Sequence, residues 1–181
     1  FIVSMDDLVL QPADFSAAYN IVPGGNTRVD NAKFSSGFGA AYGKPFILNT
    51  GRVDGWDLAM ERANPDDFAP EYVRSRVEIY EETSGASAAL SEDWLWAYQL
   101  EDRRPEAFLD TNCSLGSDCL TYMYKEVKAG QGAIIERYDV VFRYQNVVAW
   151  VFIKGQQGEV SEDMVLDYGQ MVLNKIQLLE E

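Results

Sequence analysis

Hydrophobic and polar positions alternate most cleanly between residues 134 and 144. Tyr138, Val140, Phe142 and Tyr144 fall on one side, and Arg137, Asp139 and Arg143 fall mostly on the other. That two-residue period is the signature of a strand. Val147 to Ile153 is apolar at nearly every position, which suits a strand covered on both faces. Gln145-Asn146 separates the two runs, and Asn tolerates the positive φ that a tight hairpin turn needs. A turn at these two residues pairs Tyr144 with Val147, Phe142 with Ala149, Val140 with Val151 and Tyr138 with Ile153, all on one apolar face. The second face carries Val141, Val148, Trp150 and Phe152 with Asp139 and Arg143. Being partly apolar, it predicts a second covering layer.

The same patterns place the other elements. Ser4 is set to cap a short N-terminal helix, with Asp6 and Asp7 at its positive end. A short strand is expected over Ala18 to Val22, stopped by Pro23-Gly24-Gly25. Residues 23 to 45 read as a long irregular loop, because Gly37, Gly39 and Gly43 weaken any helix there. PFILNT, between Pro45 and Gly51, predicts a short helix with a glycine C-cap. Strands follow at Arg52 to Arg62, with Trp56, Leu58 and Met60 on one face, and at Val73 to Tyr80. Asn64-Pro65-Asp66-Asp67 breaks the chain between them. Ala86, Ala89, Leu90, Trp94 and Ala97 recur at helical spacing, predicting a helix from Thr83 or Ser84 to about Tyr98. Residues 101 to 117 are polar, Leu120 to Val127 alternates as a strand, and Gly130-Gln131-Gly132 turns into the hairpin. Ser161 caps a last helix, 161–179, whose stripe is Val165, Tyr168, Val172, Ile176 and Leu179. Met164, Met171 and Leu178 widen that stripe. Gly169 within it costs about 1 kcal/mol against Ala, a cost that close packing on a sheet would explain. The fold class expected is α+β: a mainly antiparallel twisted sheet of five to seven strands, with helices 161–179 and 84–98 on opposite faces, in a single domain 1–181.

Composition narrows the partners. The chain has 181 residues, 47% of them hydrophobic, and a formal charge of −14. It is long enough to bury a core without staples, and too apolar to be disordered. No apolar run approaches the ~18–20 residues of a transmembrane helix. The opening FIVSMDDL has no basic n-region, h-region or cleavage site, so any targeting signal is expected to have been removed or never present. The acidic charge argues against nucleic acid, which needs a basic patch. It also disfavours anionic lipid surfaces. Cys113 and Cys119, in CSLGSDC, match no zinc or redox spacing. Two unrelated thiols remain an alternative, but the preferred reading is a disulfide, worth roughly 2 kcal/mol for so short a loop. It tilts the compartment towards an oxidising one.

Chemistry is sparse. There is no histidine, so Ser-His-Asp and Cys-His arrangements are excluded, and histidine-containing zinc sites with them. No P-loop, dinucleotide fingerprint or EF-hand pattern is present. Gly85-Ala86-Ser87-Ala88-Ala89 lacks the final glycine of a nucleophile elbow. The acidic pairs, such as Asp66-Asp67 and Glu162-Asp163, sit largely at helix starts and breaks, where carboxylates are structural. No metal and no cofactor is expected. Phe34, Phe38, Tyr42 and Phe46 punctuate the Gly-rich loop. They line a ligand site or tack the loop to the core, and the second is the commoner use of such rings.

Short motifs carry a resemblance. Gly51-Arg52-Val53-Asp54-Gly55-Trp56 opens one strand, and Tyr80 with Gly85-Ala86 leads into the small-residue helix. Leu115-Gly116-Ser117-Asp118 precedes another strand, and Phe142 to Val148 forms the hairpin. Together they resemble bacterial lipoproteins and secreted domains, some of which look like the Mog1/PsbP α/β/α sandwich, over roughly residues 5 to 178. The resemblance carries over no catalytic residues. The chain departs from it in beginning at Phe1 without a lipid-bearing cysteine, and in its own cysteine pair. The function expected is a non-catalytic extracytoplasmic accessory or sensor module, periplasmic, cell-surface or secreted, that binds another protein, as in a membrane-associated complex. A small-molecule binding protein using residues 34–46 is the alternative, and an acidic-residue hydrolase ranks last.

Overall fold

The computed structural model describes residues 4–39, 41–91, 94, 108–110, 113–127 and 132–178. Among them, seven strands form one sheet: β1 (Tyr19–Arg28), β2 (Arg52–Arg62), β3 (Tyr72–Tyr80), β4 (Phe108–Asp110), β5 (Asp118–Val127), β6 (Ile134–Tyr144) and β7 (Val147–Gln156). Their order is β1-β2-β3-β7-β6-β5-β4, and every neighbouring pair is antiparallel. Helices α1 (Asn31–Phe38), α2 (Gly43–Thr50) and α3 (Thr83–Ala89) cover one face, and α4 (Glu162–Gln177) covers the other. This is the expected α+β fold.

The β6–β7 hairpin has the register its sequence predicts. Tyr144 pairs with Val147, Phe142 with Ala149, Val140 with Val151 and Tyr138 with Ile153. The turn differs in one detail. Gln145 takes the positive φ, at 52°. Asn146 is used elsewhere: its side chain donates to the Tyr80 carbonyl, and its own carbonyl accepts from the Tyr80 N–H. The turn is thereby bound to the end of β3, the strand beside β7.

The α4 face is apolar. Ser161 accepts a hydrogen bond from the Met164 N–H, and Glu162 and Asp163 fill the first turn. Val165, Val172 and Ile176 are buried against Val140, Phe142, Val151 and Ile153. Each such side chain contributes about 1.5–3 kcal/mol by leaving water. Gly169 faces the sheet so closely that a Cβ there would lie 2.6 Å from Leu115 Cδ1 and 3.1 Å from Val140 Cγ1. Leu115 arrives there on the loop closed by the Cys113–Cys119 disulfide, whose Cα atoms are 5.4 Å apart. Gly116 makes that loop's tight turn with φ +62°. Leu178 does not join the stripe: it follows the last helical residue and is 63% exposed.

Four expectations need correction. β1 does not stop at Pro23-Gly24-Gly25 but runs on to Arg28, with a register shift between Ile21 and Asn26. The physical reason is position: β1 is an edge strand, where Pro and a bulge are tolerated. Gly25 is needed there, since a Cβ would lie 2.8 Å from the Val22 carbonyl and 2.9 Å from that of Ala59. Residues 23–45 are not a loop, because Asp30 caps α1 through the Lys33 N–H. Gly37 stands in the last turn, and Gly39, at φ +76°, follows the helix. α3 ends at Ala89, with Leu90 as its C-cap, so the expected helix does not run unbroken. β4 falls in the stretch read as merely polar. The expected helix end at Tyr98, the turn residues Gly130 and Gln131, and Leu179 lie outside the described residues.

Candidate functional site

The face opposite α4 is built on alternate residues of the same strands, and much of it is charged. β3 contributes Arg74, Arg76 and Glu78, paired across the sheet with Phe152, Trp150 and Val148 of β7. β2 adds Asp57 opposite Arg76, and Arg52 reaches in from its start. β6 adds Arg137 and Asp139. Arg52, Asp57, Arg76, Glu78, Arg137 and Asp139 are all buried.

Each charge is held by a named partner. Arg52 Nε donates to Glu78 at 2.7 Å, Nη1 to Asn31 at 2.8 Å and Nη2 to the Val29 carbonyl at 2.7 Å. One guanidinium thus fastens the start of α1 to β3. Glu78 also accepts from Arg76 and from the Tyr80 hydroxyl. Burial alone would raise the Glu78 pKa, but the guanidiniums of Arg76 and Arg52 outweigh it and hold the carboxyl at about 2. Arg74 grips Asp57 through Nε and Nη2. Arg137 grips Asp139 in the same fork, and Trp150 Nε1 donates to that carboxylate at 2.9 Å. Breaking such a pair strands a charge out of water, at a cost of about 3–5 kcal/mol.

Rings fill the spaces between the forks. Arg137 lies 3.8 Å from the Phe152 ring centre, and Tyr72 stacks on Phe152 at 5.4 Å. Arg74 sits over Trp150 at 5.3 Å, and Arg52 over Phe34 at 4.4 Å. Cation–π contacts of this kind add about 0.5–2 kcal/mol each, most when desolvated. The Tyr122 hydroxyl, beside Asp139, is buried without a hydrogen-bonding partner among the described residues. Burial and the Asp139 charge push its pKa up to about 12.

At the β1 end of this face lies a cleft of about 500 Å³. Its floor is Asp57 and Ala59 of β2 with Tyr72, Arg74 and Arg76 of β3. One wall is the bulge of β1, from Val22 to Thr27, and the other is α1, presenting Lys33, Phe34, Gly37 and Phe38. The bulge bends the edge strand and α1 stands across from it, so the opening follows from both. The volume and the mix of rings with a few polar groups are those of small-molecule sites.

The structure separates the four aromatic residues singled out by sequence. Phe34 and Phe38 pack together at 4.8 Å and both line the cleft. Phe46 stacks behind Phe34 at 5.0 Å, fully buried. Tyr42, before α2, is 62% exposed and does not line the cleft. Cys113 and Cys119 belong to the α4 side. Lys33, Asp57, Tyr72, Arg74 and Arg76 were not anticipated. Their signal was present in the Arg74-x-Arg76-x-Glu78 alternation, which reads equally as a solvent face. Among the described residues no group of three or more metal-ligating side chains converges, and no helix is long and apolar enough to cross a membrane.

No family model matches this chain, and no curated protein matches it. Among solved structures it is similar to the extracellular domain of PknH from Mycobacterium tuberculosis, at 12% identity and a TM-score of 0.52, over 97% of this chain and 97% of that one. At that identity the likeness speaks to the fold, which the two share along nearly their whole length.

Proposed function

We propose that this chain is a non-catalytic binding module working outside the cytoplasm, as a sensor or accessory domain, and that it recognises a small molecule in the cleft between β1, α1 and the β2–β3 floor. The observation that carries the reading is the cleft itself: a cavity of about 500 Å³ with Phe34, Phe38 and Tyr72 beside Arg74, Arg76 and Asp57. The floor is pre-organised, because the Arg74 and Arg76 side chains are already fixed by Asp57 and Glu78. Pre-ordered groups lose little entropy when a ligand arrives. The extracytoplasmic placement is supported by the disulfide and by the fold shared with an extracellular domain. The finer Mog1/PsbP-like placement rests on the short motifs that here open β2 and turn the β6–β7 hairpin.

A protein partner is the second reading. Leu48 and Phe68 are 84% and 81% exposed, and neither lines the cleft. Single apolar side chains on a surface are normal, so the cleft carries the first reading.

Gly37 supplies the test. It lines the cleft, and a Cβ built there meets nothing within 4 Å. Gly37→Trp should plug the cavity and leave the fold intact. Compounds that raise the melting temperature of the wild-type protein in a metabolite screen should lose their effect on the variant. Hits that stabilise both proteins equally would place binding elsewhere and sink the reading.

A further inference from the structure

We infer that the cleft takes an anion: a small molecule with a carboxylate or phosphate head and a flat apolar body. This deepens the reading just given and rests on it.

The chain carries 29 acidic residues against 15 basic ones, yet the charged lining of the cleft has the opposite balance. Lys33, Arg74 and Arg76 face Asp57 alone. Arg74 and Asp57 offset one another in their fork. Arg76 and Arg52 both bind the single carboxylate of Glu78. Lys33 donates to Thr27 Oγ1 at 2.6 Å and makes no ion pair among the described residues. Asp30 caps α1 and Glu61 lies across from Tyr72 on β2, but neither lines the cavity. Three of the four charged side chains lining the cleft of this acidic protein are therefore cations, and a cleft lined mainly by one sign of charge draws in the other.

The head and the body of the ligand follow from where the groups stand. Guanidinium forks match carboxylate and phosphate geometry. Arg74 has 26% of its side chain exposed, so it can meet a ligand oxygen while keeping Asp57. Lys33 offers a point charge from α1, beside Thr27. The rings of Phe34, Phe38 and Tyr72 stand in the apolar part of the lining beside Val22, Pro23, Val29 and Ala59. They fit a planar body better than an inorganic ion.

A matched set of probes tests this: benzoate, phenyl phosphate, benzyl alcohol and benzylamine, titrated calorimetrically into the wild-type protein, Lys33→Glu and Gly37→Trp at fixed ionic strength. Benzoate or phenyl phosphate should bind, more weakly as salt rises, and benzylamine should not. Lys33→Glu replaces an exposed cation and leaves the core untouched, so it should fold and weaken the anion by about tenfold or more. Gly37→Trp should abolish binding. If benzyl alcohol binds as tightly as benzoate and Gly37→Trp removes both, the cleft reading stands and the anion class is wrong. If the anions bind both variants as they bind the wild type, they sit elsewhere and the inference fails. If no probe of any charge binds at millimolar concentration, the inference and the cleft reading fall together.

Discussion

Val140, Phe142, Val151 and Ile153 point towards α4, while their immediate neighbours Asp139, Trp150 and Phe152 point towards the other side. Both sets stand on the same two strands and share one register. Under α4 the contacts are apolar, and one long amphipathic helix closes the layer together with Leu8, Val9 and Leu10. Under α1, α2 and α3 the layer is made of guanidinium–carboxylate forks with rings between them, and one end is left open as a cleft. The three short helices leave a gap between α1 and the β1 bulge, and that gap is the cleft. The α4 face holds the molecule together by area, which tolerates variation. The charged face depends on each partner being in place, which fixes geometry at the expense of tolerance.

That contrast can be broken by mutation. Phe142→Ala on the α4 side should cost about 3–5 kcal/mol in urea unfolding, while the folded fraction binds cleft ligands with unchanged affinity. Glu78→Gln should cost a similar amount, about 3–5 kcal/mol, because it leaves Arg52 and Arg76 without their carboxylate. The two variants differ in acid. The Glu78 pKa is about 2 when folded, against an ordinary 4.5. Its contribution is present above pH 4.5 and is lost as pH falls from there towards 2. The Glu78→Gln deficit should therefore shrink on acidification through that window, and the Phe142→Ala deficit should show no such dependence on this group. Equal pH profiles for the two would remove the distinction between the faces.

Smaller effects sharpen it. Reducing the Cys113–Cys119 bond should cost about 2 kcal/mol and lower the melting temperature by roughly 4–8 °C. Ligand affinity should not move, since that loop packs on the α4 side. Intact mass after alkylation without reductant should show neither thiol modified. Lys33→Glu should change stability by less than about 0.5 kcal/mol, so any loss of binding it causes does not come from unfolding.

The sequence made the α4 side readable because its determinants are local. A two-residue period and a two-residue turn specify the β6–β7 register. A cap at Ser161 and a stripe through Val165, Val172 and Ile176 specify α4, and Gly169 marks its close approach. The cleft was harder to read. Arg74 and Arg76 alternate with Val73, Ser75 and Val77, and such alternation does not say whether the polar side meets water or helices that arrive from residues 31–50 and 83–89. Pro23-Gly24-Gly25 ends a strand when read locally. On an edge strand it makes a bulge instead, and edge position is decided by the strand order. Phe34 and Phe38 were legible as rings near a site. Phe46 and Tyr42, in the same pattern, went to the core and to the surface because α1 and α2 turn them away from the cleft.

The seam between β3 and β7 also governs the order of assembly. β2 and β3 follow one another through a short connection, as do β5, β6 and β7, so each set can zip early. Joining residues 72–79 to 147–154 closes a far longer loop, a step that topology makes slow. During synthesis β3 is an open edge until β7 emerges, with a row of unpaired backbone groups available to any other strand. Every residue that lines the cleft precedes residue 77. A growing chain that has not reached residue 147 thus holds the whole lining, but has no neighbouring strand to keep Arg74 and Arg76 in line.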